Sequence, residues 1–211
     1  QFMRLDLTAR RNLELTETMR NKEKRGSLLG VLDRTKTAMG KRLIRSWIEQ
    51  PLIHPAQIIR RHNAVEELLG DMVLRGDVRT MLADIYDLER IMTRIVYGSA
   101  NAREMRSLSQ TLRCIAPLKD LCQQSESAVM KKMTEPLNPC TELFEKIKFQ
   151  LQENAPHQVN KGGVIATGVN AELDELRNIS SNGKELLLQM QQREIEATGI
   201  PSLKIGFNNV F

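Results

Sequence analysis

The 42 residues from Asn170 to Phe211, NAELDELRNISSNGKELLLQMQQREIEATGIPSLKIGFNNVF, decide how the chain is read. Asn170 offers a side-chain oxygen to the free amides of a helix start. Leu173, Leu176, Ile179, Leu186, Leu187 and Met190 then recur at helical spacing. Gly199 suits the left-handed turn that ends a helix, and Pro201 forbids continuation. The spacing predicts one helix over Ala171 to Thr198, about 42 Å long at roughly 1.5 Å per residue. Ser202 to Phe211 reads as one strand, and a lone strand leaves its backbone donors and acceptors without a ladder partner. Because the first residue is Gln1 rather than Met, the chain is expected to be a piece of a larger machine, with its function to be sought in the parent.

Working back from that stretch, helical periods dominate. Thr37 caps a segment with Met39, Leu43, Ile44, Trp47 and Ile48 on one face, stopped by Pro51. Pro55 opens another helix at its first position, with Ile58, Ile59, Val65, Leu68 and Leu69 inward. Trp47 and His62 fall on or beside these faces and read as core. Asp71 to Asp84 and Asp87 to Tyr97 continue the pattern. A longer helix is marked by Met105, Leu108, Leu112, Ile115 and Leu118, with Pro117 expected to kink or split it. Asn138-Pro139 caps a helix using Leu143, Phe144, Ile147 and Leu151. Phe2 to Leu7 alternates loosely, enough for a short strand, and Arg20 to Gly26 is a charged loop. Asn154 to Gly168 is a loop. The fold class is mainly α, with a long helix leading to a small β element at the carboxyl end.

The chain of 211 residues is 41% hydrophobic and 27% charged, with only 4% aromatic residues. No apolar run approaches the roughly 20 residues that span a bilayer. Cys114, Cys122 and Cys140 lack CxxC spacing and lie far from His54, His62 and His157. That argues for buried or half-buried thiols rather than a disulfide framework or a zinc site. The net charge is +5, and it is uneven: residues 1–60 hold 13 Lys and Arg against 6 Asp and Glu. A nucleic-acid patch and a basic surface that meets an acidic neighbouring domain both fit this excess.

Catalytic chemistry is not legible. There is no GxxxxGK[ST] loop for phosphates, and no Ser and His placed as nucleophile and base. Glu66-Glu67 and Asp174-Glu175 are adjacent on helices, where neighbours point apart. Gly162-Gly163 reads as a turn rather than an anion nest.

Six separated strings, in order, carry a resemblance that covers essentially the whole chain. They are Leu5-Asp6 with Thr8 to Leu15 (TARRNLEL), Val31 to Leu52 (VLDRTKTAMGKRLIRSWIEQPL), Asp87 to Arg90 (DLER), Gly98 to Arg103 (GSANAR), Glu172 to Arg177 (ELDELR) and Thr198 to Phe211 (TGIPSLKIGFNNVF). Together they resemble the central part of the bacterial MutS family of DNA mismatch-recognition ATPases. The resemblance implies a helical core and first lever portion over residues 1–169. Residues 170–211 then form a lever-to-clamp helix and the first clamp strand. In that family long lever helices carry a clamp that closes over the duplex and touches its backbone, transmitting conformational change between DNA and an ATPase domain. The mismatch-reading domain, the connector and the ATPase domain of the family, which uses ATP and Mg, lie outside this sequence. No enzymatic activity and no cofactor are therefore expected of the chain itself.

On this reading the partners are double-stranded DNA, mismatch-containing for the parent, and the missing domains, in a cytoplasmic, nucleoid-associated bacterial setting without a membrane. A homodimer is also expected, because Leu173, Leu176, Leu187, Met190 and the lone strand need covering. Lys204, Asn208 and Asn209 are the residues expected to contact the DNA backbone, since Lys and Asn donors position phosphates without reading sequence. Asn208-Asn209 is equally a turn pair before a hairpin. Gly183, near the apolar seam, permits close helix approach or is merely tolerated. The competing functional class is a structural helical adaptor that meets other proteins and never touches nucleic acid.

Overall fold

The computed structural model describes residues 2–205 and is mainly helical. It divides into two units, Gln1–Val164 and Ile165–Phe211.

In the first unit most helices start where a short polar side chain can take up the free amides of the opening turn. Asp6, Ser27 and Thr37 accept from the third residue onward at the starts of α1 (Leu7–Asn12), α2 (Leu28–Leu32) and α3 (Ala38–Glu49). Pro55 opens α4 (Pro55–Gly70), where its missing donor costs nothing. Asp71, Asp87 and Ser127 cap α5 (Met72–Ala83), α6 (Leu88–Val96) and α8 (Ala128–Thr134). Asn101 and Glu104 each donate a backbone amide to the other's side-chain oxygen at 3.0 Å to start α7 (Ala102–Gln124).

The 23-residue α7 is the spine of this unit. Towards its carboxyl end Leu118 and Cys122 pack with Leu74 and Val78 of α5 and Met130 of α8. Nearer its start Leu108 and Leu112 pack with Ile91 of α6 and Ile147 of α9 (Thr141–Gln150). Each fully buried Leu or Ile contributes roughly 1.5–3 kcal/mol, so the two clusters fix this bundle. Thr111, also on α7, is fully buried, and its Oγ1 accepts the Tyr86 amide at 3.1 Å.

Several local expectations differ from what the helices do. Pro117 does not split α7. Pro117 and Arg113, whose carbonyl it leaves unbonded, are both exposed, so water can take up that oxygen. Trp47 and His62 are not core. His62 is exposed, and Trp47, 40% exposed, stacks under the Arg61 guanidinium 3.5 Å from its ring centroid. Leu43, Ile59, Val65 and Leu69 are exposed with them. Periodicity marks an apolar face but does not say what covers it. Asn138 does not cap α9. Its Oδ1 accepts the Cys140 amide at 2.9 Å, and Cys140 takes the cap position with φ 49°. Cys140 is exposed rather than buried. The amino-terminal strand reduces to one antiparallel bridge, Phe2 with Leu52, and a Met3 amide to Pro51 carbonyl hydrogen bond of 2.8 Å.

In the second unit Asn170 caps α10 (Ala171–Ser181), its Oδ1 accepting the Leu173 amide at 2.9 Å. Gly199, at φ 70°, ends α11 (Gly183–Thr198) in the left-handed region. The single long helix is instead two, interrupted at Asn182 (φ −105°, ψ 19°). Polar side chains compete with the backbone there: Asn182 Nδ2 donates to Asn178 Oδ1 at 2.6 Å, and Ser181 Oγ donates to the Asn178 carbonyl at 3.1 Å. Gly183 adds no side chain to hold the turn together. The strand expected from Ser202 onward is not formed over the described residues. Pro201 and Ser202 turn, Leu203 to Ile205 are irregular, and no described strand lies alongside to pair with them. Residues 206–211, with Asn208 and Asn209, lie outside the described residues.

Candidate functional site

Of the three residues expected to meet DNA, Lys204 alone falls among the described residues. It is exposed and forms no ion pair among them. Its position follows from the end of α11. Gly199 turns the chain, Pro201 keeps it from re-entering the helix, and the Ile205 amide donates to Gln191 Oε1 at 3.2 Å. That bond ties the segment carrying Lys204 back along α11.

The start of the same unit is tied as firmly. Asp174 Oδ2 accepts the Gly168 amide at 2.6 Å, while Arg177 Nη2 donates to the Ile165 carbonyl at 2.8 Å and Nη1 to Asp174 Oδ1 at 3.2 Å. Both residues belong to the ELDELR string. Their role is to fix the angle at which the chain enters α10.

The same holds for the other recognisable strings. Arg42, in the long string from Val31 to Leu52, donates to both Asp87 carboxylate oxygens and, through Nε, to Glu89 Oε2 at 2.8 Å. Asp87 and Glu89 are the acids of the DLER string. The Arg42 guanidinium therefore holds the Asp87 carboxyl below the usual carboxylate range. In GSANAR, Asn101 supplies the α7 cap. Ser99 holds Arg94 through its carbonyl at 2.9 Å, and Arg94 Nε lies 3.0 Å from Glu104. Asp33, also in the long string, is held down to about 2 by the Lys24 ammonium and two bonds from Thr35. Spacing alone could not find the Arg42 joint, because its partners lie tens of residues away; the pair Arg42 and Asp87 is 45 residues apart.

Part of the amino-terminal basic excess is consumed locally. Lys24 pairs with Asp33, Arg42 with Asp87 and Glu89, Arg45 with Glu49, and Lys22 with Glu17. The thiol of Cys122, pushed up by burial, is packed in the core and has no basic neighbour to activate it. Among the described residues no three His, Cys, Asp or Glu side chains converge as metal ligands, and no helix is long and apolar enough to cross a membrane.

Capped helices joined by polar contacts define a helical domain. Its family follows from comparison with known proteins: the chain belongs to the MutS domain III family, whose model matches residues 8–199. It is 47% identical over its whole length to the DNA mismatch repair protein MutS of Brevibacillus brevis, 44% to that of Bacillus subtilis, and 42% over 210 residues to that of Clostridium tetani. The chain spans about a quarter of the length of these relatives, 24%, 25% and 24% respectively.

Proposed function

We propose that this chain is the core, lever and clamp-entry segment of a DNA mismatch-recognition ATPase. In this reading residues 1–169 form the core and first lever portion, and residues 170–211 lead into the clamp. The observation that carries the reading is the coincidence of family strings with mechanical joints. The residues that make the sequence recognisable lock helix starts and cross-helix ion pairs, as a segment that transmits motion requires. In the second unit Lys204 is exposed beside the α11 terminus and available to a phosphate, with Asn208 and Asn209 proposed alongside it.

Binding by the 211-residue chain alone should be non-specific, with Kd in the range of roughly 10⁻⁴–10⁻⁶ M or weaker, falling steeply with salt. Fluorescence anisotropy on a homoduplex and a G·T duplex tests this. A tenfold preference for G·T, or affinity insensitive to salt, overturns the proposed role. ATP and Mg are proposed to act in the parent's ATPase domain and not on this chain, since phosphoryl transfer needs a phosphate loop and Mg ligands that this sequence does not supply. A homodimer covering the apolar face of α10 and α11, in a cytoplasmic bacterial setting, belongs to the same proposal.

The adaptor reading has one observation in its favour. Leu7, Val73, Val96 and Tyr97 of the first unit are each more than 70% exposed, as in a surface that meets other protein. In the proposed parent that protein is its remaining domains.

A further inference from the structure

A cleft of about 420 Å³ lies between α7 and α9, lined by Arg106, Ser109, Gln110 and Arg113 on one wall and Phe144 and Lys148 on the other. The sequence places the first four at i, i+3, i+4 and i+7, so they share one face of α7. That face runs beside the apolar stripe of Met105, Leu108 and Leu112 that docks on α9. Packing of the stripe therefore holds the polar row at a fixed height above α9. Phe144 and Lys148 are i and i+4 on α9, and the Lys148 ammonium sits 5.5 Å from the Phe144 ring centroid. Glu153 and Asn154 close the cleft.

The two arginines of this cleft differ from the arginines that carboxylates hold elsewhere in the unit. Arg42, Arg45 and Arg94 all face carboxylates within 3.0 Å. Arg106 and Arg113 form no ion pair among the described residues, and Lys148 has only Glu145 at 3.9 Å. Ser109, buried to 3% exposure, adds a hydroxyl-bearing side chain to the wall. Glu153 offsets one of the three cations, leaving an excess of two.

We propose that the α7–α9 cleft binds a dianionic phosphate group, either free or as the terminal group of a small phosphorylated compound. Two guanidinium forks match phosphate oxygens with paired donors, and an ammonium supplies the third charge. The volume is that of a small-ligand pocket, too confined to track a duplex backbone. The proposal is independent of the duplex reading and uses none of its residues.

The test is titration of the 211-residue chain with inorganic phosphate, pyrophosphate and a 20-base-pair duplex. Amide and arginine side-chain NMR is recorded in about 0.15 M chloride, where the Debye length is roughly 8 Å. Pyrophosphate should give saturating shifts confined to α7, α9 and the loop at Glu153, with Kd below about 1 mM. The double variant Arg106→Gln, Arg113→Gln should weaken this at least tenfold. A control double variant, Arg34→Gln, Lys36→Gln, should leave it unchanged, with melting temperatures of all three proteins monitored. Free phosphate reaching the same residues as pyrophosphate marks a simple anion site. Response to pyrophosphate alone marks a terminal diphosphate site. Non-saturating shifts spread along the chain, equal loss in the control variant, or shifts at the cleft with duplex but not with either phosphate overturn the proposal.

Discussion

The guanidinium of Arg42 meets the carboxylate of Asp87 with two hydrogen bonds, Nη1 to Oδ2 at 2.9 Å and Nη2 to Oδ1 at 2.5 Å. Asp87 also caps α6, its Oδ1 accepting the Arg90 amide at 3.4 Å, so one carboxylate both starts a helix and anchors α3 to it. Bidentate pairing is a geometric property of the planar fork, which a lysine ammonium cannot reproduce. Arg42→Lys should therefore lower the melting temperature nearly as much as Arg42→Ala. The double variant with Asp87→Asn should lose clearly less than the sum of the singles, because the two share one interaction. Circular-dichroism melts of the natural chain and the four variants decide it. Full rescue by lysine, or strict additivity, would show that the fork is not what joins the helices.

Asp33 gives a pH signature. Its side chain is 4% exposed, and the Lys24 ammonium, with Thr35 donating through both its amide and its hydroxyl, holds the carboxyl down from an ordinary 3.8 to about 2. A carboxyl whose folded value is depressed stabilises the fold above its unfolded value, and that contribution disappears as pH falls through the folded one. The melting-temperature gap between the natural chain and Asp33→Asn should be full above about pH 5 and shrink between about pH 4 and 2. A gap that is constant over this range contradicts the assignment.

Caps and stops were legible in the sequence because they are local: Thr37, Pro55, Asn170 and Gly199 each act within one turn of where they stand. What failed depends on partners that a period does not name. Trp47 shares a face with Leu43, yet whether that face is covered is decided by the arrangement of other helices. Ser180, Ser181 and Asn182 read as tolerable helix residues until Asn178 is seen to accept from two of their side chains. Of the candidate site, the family strings were visible but their function as joints was not, since Arg42 and Asp87 meet only in the fold. The row from Arg106 to Arg113 is not distinguished by its period, which is the one its apolar neighbours on the same helix also follow.

Two buried backbone requirements make strong stability tests. Thr111 is fully buried and its hydroxyl satisfies the Tyr86 amide. Thr111→Val keeps the volume but strands that donor, at about 1–3 kcal/mol. At Gly30 an added Cβ would collide with the Lys24 carbonyl oxygen, so Gly30→Ala must displace backbone, costing about 1–3 kcal/mol. Urea titration measures both. A change under about 0.5 kcal/mol in either, the level of an ordinary surface substitution, removes the role given to that residue.

The break between α10 and α11 is where the proposed lever can be tested without DNA. Asn182 holds the interruption through its bond to Asn178, and nothing lies within 4 Å of where a Gly183 Cβ would be. Gly183→Ala should therefore fit without strain and favour helix by about 1 kcal/mol. Asn182→Ala removes the side chain that competes with the backbone. The double variant should join Ala171 to Thr198 into one helix, the arrangement the apolar period from Leu173 to Met190 favours. Expected outcomes are a gain in far-ultraviolet helical signal and stronger amide-exchange protection at residues 179–187. If helicity and protection stay at the level of the natural chain, residues 182 and 183 are not what interrupts the helix, and the cause must be sought in how its two faces pack.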